Sequence, residues 1–186
     1  MHNEICQWMI WVRLLFPGHF VTGRILDVGS LDINGNNRYL FGATAQYEGI
    51  DIVAGPNVNH VGYMHEWAPG RPAESYDVVI STDCLEHDKY WRETLKDMVR
   101  LLRGGGLMAW TCAGEGRDEH GTTRLNPYAS PGTHDYYGNI TPEMVRQQVF
   151  APEDIFSAWD FNCCTNTMGP GLDTRFWGVK KRKVEA

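Results

Sequence analysis

The chain has no CxxC pair and no Cys/His pair at zinc-finger spacing, and its five cysteines, at positions 6, 84, 112, 163 and 164, are odd in number. Neither a disulfide framework nor a structural zinc site is signalled, so reduced thiols in a cytoplasmic compartment are expected. Long hydrophobic runs are also missing: Trp8 to Phe16 is nine residues and contains Arg13, too short to span a bilayer. No basic segment precedes it, as a secretory signal would require, and no membrane partner is expected. Positive charge is scarce. Seventeen Lys and Arg against 23 Asp and Glu leave a net charge of −6, the wrong sign for a surface that grips a phosphate backbone, and a nucleic-acid partner is not expected. There is no internal repeat or low-complexity tract, and nothing in the pattern sets an oligomeric state.

What is there is the composition of an ordinary globular protein, 42% apolar and 12% aromatic over 186 residues, which fits a single domain spanning 1–186. Ile5, Trp8, Met9, Val12, Leu15 and Phe16 form one helical stripe, which Pro17-Gly18 ends, giving an N-terminal helix within 1–18. Beyond it the pattern turns to short β-type runs at 24–28, 47–52, 58–61, 76–81 and 107–111. An amphipathic helix opens near an Asp88 cap, carries Trp91, Leu95, Met98, Val99 and Leu102 on one face, and stops at Gly104-Gly105-Gly106. Strands apolar along most of their length, alternating with helices, predict a mainly parallel α/β sheet covered on both faces. Residues 113–139 hold five glycines and two prolines without a sustained period and read as a lid or acceptor loop. Thr141-Pro142-Glu143 opens a short helix, and Ile155–Cys164 with Asp173–Lys181 form a closing hairpin around Met168-Gly169-Pro170-Gly171.

The chemistry lies in one spacing. Asp27-x-Gly29 closes the first strand, and Asp51 ends the next, 24 residues on. In an open α/β sheet the ligand crosses the carboxyl ends of the strands; a glycine there lets the backbone approach it, and an acid on the second strand accepts hydrogen bonds from a ribose diol. The loop Gly29 to Asn36 lacks the G-x-G-x-x-G pattern that holds a pyrophosphate, and Asp32 would oppose phosphate charge. A nucleoside cofactor without phosphate fits better, although a nicotinamide oxidoreductase stays open on this reading.

Ile25-Leu26-Asp27-Val28-Gly29-Ser30 resembles the first motif of class I S-adenosylmethionine-dependent methyltransferases. Tyr47 to Ile52 looks like the second strand of that family with its ribose-binding acid, and the run from Tyr76 through Leu85-Glu86-His87 is similar to the fourth-strand "LEH" motif of a subfamily acting on small molecules. With the helix leading into Gly104-Gly105-Gly106, the resemblance spans roughly residues 24–112. It implies a Rossmann-like three-layer α/β sandwich with a seven-stranded, mostly parallel sheet and one antiparallel C-terminal strand, and S-adenosylmethionine as cofactor. It further implies that Asp27, Gly29 and Ser30 face the methionine half, that Asp51 and Ile52 bind ribose and adenine, and that Ser81 or Thr82 lies beside the sulfonium. The chain departs from the pattern where two further glycines are usual, having Leu31 and Ile33 before Gly35. A wider loop, with Asn34 and Asn36 as polar contacts, follows. No acid stands where relatives meet the adenine amino group, and backbone at Met64 and His65 is the substitute.

Methyl transfer from a sulfonium is an in-line displacement in which the protein positions an acceptor and takes up its proton. Asp83 and His87 are the first candidates for a base, with His120, His134, Tyr136 and Tyr137 on the long loop, and His87 is favoured for a near-neutral pKa. Glu86 reads as an ion-pair partner for a basic residue on the next helix, Trp91 and Trp110 as core, and Lys180 to Lys183 as a solvated strand end. No metal-ligating set is indicated. Position 81–84 is Ser-Thr-Asp-Cys, neither of the DNA methyltransferase signatures; the first lysine is Lys89, too late for the ribose-methylating tetrad; and 111–113 lack the carboxylates of a catechol-type magnesium site. A small-molecule acceptor leads by elimination, with a catalytically silent cofactor-binding or protein-interaction domain as the alternative.

Overall fold

The computed structural model describes residues 3–133, 135–165 and 170–183. Seven strands form one sheet: β1 (Thr22–Val28), β2 (Thr44–Asp51), β3 (His60–Val61), β4 (Tyr76–Thr82), β5 (Leu102–Ala113), β6 (Phe156–Thr165) and β7 (Leu172–Lys180), in the order β3-β2-β1-β4-β5-β7-β6. The pairs β1–β2, β1–β4, β2–β3 and β4–β5 are parallel, and β7 is antiparallel to both β5 and β6. Six strands therefore share a direction and β7 opposes them, the sheet expected from the resemblance.

The two-residue alternation along each strand separates two cores. Ile25, Val78, Ile80, Leu107 and Ala109 face α1 (Asn3–Leu15), packing on Ile5, Trp8, Met9 and Val12. Leu26, Val28, Val79, Met108 and Trp110 face the other way, toward α2 (Met64–Trp67), α3 (Trp91–Leu101) and α4 (Pro142–Gln148). Trp91 and Trp110 lie in this second core as expected, and a short α5 (Pro152–Ile155) leads into β6.

Several boundaries differ from the sequence reading for local reasons. Leu15, expected in the apolar stripe, is exposed because it is the last residue of α1, where the chain turns into a 3-10 segment over Pro17–Phe20. Asp88 lies ahead of α3, its Oδ1 accepting from the Tyr90 N–H at 2.8 Å and its Oδ2 from the Thr94 hydroxyl at 2.5 Å, so it braces the entry turn. The glycines 104–106 lie inside β5, with α3 already ended at Leu101. Thr141 caps α4 through the Met144 N–H at 3.2 Å. Lys180 is fastened to the carbonyls of Val99 and Leu102, at 2.8 and 2.6 Å, so the basic end of β7 clamps α3. Met168 and Gly169 of the expected turn lie outside the described residues.

Candidate functional site

The carboxyl ends of β1, β2 and β4 meet in a cavity of about 430 Å³. Its floor begins at Gly29, whose φ of +77° suits glycine, and the N–H groups of Gly29 and Ser30 both donate to Ile50 O, at 2.9 and 3.1 Å. A Cβ at Gly29 would overlap Cys84 Sγ and Cβ, so the residue is needed for space as well as for φ. Asp51 closes the same turn: its Oδ2 accepts from the Leu31 N–H at 3.0 Å and its Oδ1 from the Val53 N–H at 3.1 Å. Burial raises its pKa, and these backbone donors work against the rise.

Asp27 is 2% exposed and lines the cavity; Tyr47 donates its hydroxyl to Oδ2, while Oδ1 has no hydrogen-bond partner among the described residues. Burial pushes its pKa up to about 7, the Tyr47 hydrogen bond opposes this, and the charge of Asp51 adds to it. The wider loop is held by its own acid. Asp32 accepts from the Gly35 N–H at 2.8 Å and from the Asn36 amide at 2.6 Å, and Asn36 in turn accepts from the Arg38 N–H at 2.8 Å. Gly35 and Asn36 line the cavity, but the Asn36 side chain is spent on shaping the loop. Asn37, which sequence reasoning passed over, is 1% exposed and donates to Thr82 Oγ1 at 2.9 Å, tying the loop to the end of β4. The only sequence signal for it was a polar residue in a loop already rich in asparagine.

Ile52, Met64, Thr82, Asp83 and His87 also line the cavity. His65 and Ser81 do not. Tyr63 takes the place beside Met64, and His65 packs at a tilt against Tyr90, with 4.0 Å between ring centroids; Ser81 is fully buried within β4, because successive side chains of a strand point to opposite faces. Asp83 has a φ of +50°, and its N–H reaches Thr111 O at 3.1 Å.

His87 does not have the near-neutral pKa that its sequence position suggested: burial, with the charge of His120 adding, lowers it to about 4. Nor does Glu86 pair with a basic residue on α3. It is 2% exposed, its Oε2 has no hydrogen-bond partner among the described residues, and burial, reinforced by Asp83, raises its pKa to about 8.

The long loop covers this end of the sheet. Arg117, Asp118, Glu119, His120, Asn126, Pro131 and Thr133 line the cavity from above, and Tyr137 stacks edge-on to His120 at 4.9 Å. Tyr136 is directed to the second core, and His134 lies outside the described residues. The loop leaves and rejoins the sheet at one place: Ile140 N–H donates to Ala113 O at 2.9 Å, Gly114 N–H to Leu172 O at 2.8 Å, and Leu172 N–H to Glu115 O at 2.8 Å. Below it Asp173 is shared between Arg117 and Arg175, at 3.4 and 3.6 Å. All five cysteines are free thiols, and no described helix is long and apolar enough to cross a membrane.

A family model described as a methyltransferase domain matches residues 1–139. No curated protein sequence matches the chain. Among solved structures, phosphoethanolamine N-methyltransferase 2 of Haemonchus contortus, in complex with phosphomonomethylethanolamine and S-adenosylhomocysteine, superposes with a TM-score of 0.63 at 18% identity, over 95% of this chain and 53% of that one. The chain thus spans about half the length of that enzyme. The 1,6-didemethyltoxoflavin-N1-methyltransferase of Burkholderia thailandensis gives 0.60 at 15% identity, over 90% of this chain and 75% of that one. A SAM-dependent methyltransferase of Archaeoglobus fulgidus gives 0.60 at 13%, over 94% of each. The strand order, the turn at the end of β1 and the family match over three quarters of the sequence agree: the chain belongs to the methyltransferase-domain family and has the class I S-adenosylmethionine-dependent methyltransferase fold.

Proposed function

We propose that the protein transfers a methyl group from S-adenosylmethionine to a small-molecule acceptor, as one domain acting in a reducing, cytoplasmic compartment. The observation that carries this is the cavity at the carboxyl ends of β1, β2 and β4, where Asp27 and Asp51 stand on adjacent strands at opposite ends of one glycine turn. A cofactor with a cationic amino-acid end and a ribose end matches those two carboxylates. Asp27, with an unpartnered Oδ1, takes the ammonium; Gly29, Ser30, Gly35 and Asn36 supply the turn that lets the methionine half in. Asp51, already fixed by two backbone donors, keeps lone pairs for the ribose diol, and Ile52 and Met64 flank the base.

The acceptor end lies under the 113–139 loop. Its residues, with Asp83 and His87 on the opposite wall, enclose a volume suited to a metabolite rather than a polymer. Asp83 takes the acceptor's proton and His87 orients the acceptor. The charge of −6 supports the same acceptor class. The kinship of fold with enzymes acting on a phosphobase and on a toxoflavin precursor agrees with it.

Calorimetry with S-adenosylmethionine and S-adenosylhomocysteine tests the cofactor. Both should bind, and Asp51→Ala should abolish binding while the circular dichroism spectrum stays unchanged. Absence of heat with either ligand would refute the reading.

A further inference from the structure

Glu86, His87 and His120 come from two different segments, the turn after β4 and the covering loop, and each brings one donor atom to within 4.8 Å of the other two. Bonds of 2.0–2.1 Å to a tetrahedral ion place donors about 3.3 Å apart, so closure around an ion asks for only a small inward shift. Three observations bear on these donors. The Oε2 of Glu86 and the Nδ1 of His87 are buried with no hydrogen-bond partner among the described residues. The Nδ1 of His120 is within 3.0 Å of Asp118 O, which holds the ring and leaves Nε2 as a lone-pair donor, the arrangement in which ligating histidines are usually fixed by a backbone carbonyl. Gly121 follows directly, and a Cβ there would come within 2.7 Å of His87 Cε1, so the backbone at 121 passes against the imidazole without a side chain between them.

We propose that Glu86, His87 and His120 form a binding site for a divalent ion of the zinc class at the acceptor end of the cavity. Two imidazoles and one carboxylate favour zinc, cobalt or ferrous iron over magnesium or calcium, which prefer all-oxygen shells. His87 and His120 line the cavity, whereas Glu86 lies beneath it, so the remaining coordination positions face the cavity.

The consequence for the acceptor rests on the methyl-transfer reading: it would be a molecule presenting a hydroxyl or similar oxygen to the ion. Coordination acidifies that oxygen, its proton passes to Asp83, its lone pair forms the new C–O bond, and the S–C bond breaks with its electron pair retained by sulfur. The acceptor class is therefore a chelating alcohol, phenol or hydroxy acid.

Chelator-treated full-length protein, titrated with Co2+ by visible absorption and with Zn2+ by calorimetry, tests the site without cofactor or acceptor. One ion per chain is expected, with the d–d bands of a low-coordinate site. Outer-shell partners of ligands are worth roughly 10–100-fold in affinity, so removing a ligand by His120→Ala, on a half-buried loop, or by the isosteric Glu86→Gln should weaken binding at least about tenfold. The proposal is overturned if either folded variant keeps the parent affinity, or if the parent takes up no ion while still binding S-adenosylhomocysteine. The latter result leaves the methyl-transfer reading standing, and loss of cofactor binding with metal uptake intact does the reverse.

Discussion

Asp27→Asn should make the protein more stable at pH 8 and less able to bind its cofactor. The carboxyl group is buried under the end of β1, and desolvation is the chief cause that pushes its pKa up from the ordinary 3.8 to about 7. Between those two values the folded chain holds a proton that the unfolded chain has released, so stability falls as pH rises toward 7 and levels off above it. A shift of about three units, at about 1.4 kcal/mol each, spreads a loss of roughly 4 kcal/mol over the whole window, of which roughly 2–3 kcal/mol falls between pH 5 and pH 8. The amide mimics the protonated acid and can still accept the Tyr47 hydroxyl, so the variant escapes that loss. Urea denaturation of parent and variant at several pH values isolates the effect, because contributions from Glu86 and His87 cancel in the difference, leaving Asp27 and its smaller coupling to Asp51. The difference should widen in favour of Asn from pH 5 to pH 8 and then stay level. A constant difference across that range refutes the desolvated carboxylate. With S-adenosylhomocysteine the parent's affinity should rise with pH toward 7, since a bound ammonium needs the ionised form, and the variant's should stay low and flat.

Gly29→Ala combines a positive φ with overlap onto Cys84, so it should cost more than about 1 kcal/mol from the backbone alone and weaken cofactor binding. Adding Cys84→Gly should recover part of the loss and Cys84→Ala should not, because the Cβ of Cys84 is itself in the way; equal rescue by both would show that sterics are not the cause. Thr141→Ala removes the side-chain N-cap of α4 and should lower stability by roughly 0.5–2 kcal/mol in chemical denaturation, with cofactor affinity unchanged.

The mostly parallel sheet was legible because its central runs, at 24–28, 76–81 and 107–111, are buried on both faces and end in turn signals, and because Asp27-x-Gly29 and Asp51 mark the ends of two strands that lie side by side in register, Asp27 opposite Gly49. The charge states were not. A histidine at 87 reads the same whether it is solvated or buried; only the covering loop, which excludes water and brings His120 alongside, drives its pKa down. Glu86 likewise gave no sign that its carboxyl group would be enclosed away from the basic residues of α3. Ser81 and Thr82 are neighbours in sequence, and the single-residue alternation of β4 alone decides which one reaches the cavity. Asn37 was missed for a related cause, since its partner Thr82 is 45 residues away.

The joining of the 113–139 loop at its base has a mechanical consequence. Because Ala113 is bonded to Ile140, and residues 114 and 115 to Leu172, the two ends are already held together by the sheet. A segment tethered at both ends at one point cannot swing aside as a flap on a hinge. Between these fixed ends it can change only in shape, and bonds such as that from Thr133 Oγ1 to Gly121 O at 3.3 Å hold its two arms together. Closure over a ligand then carries little further loop-closing entropy.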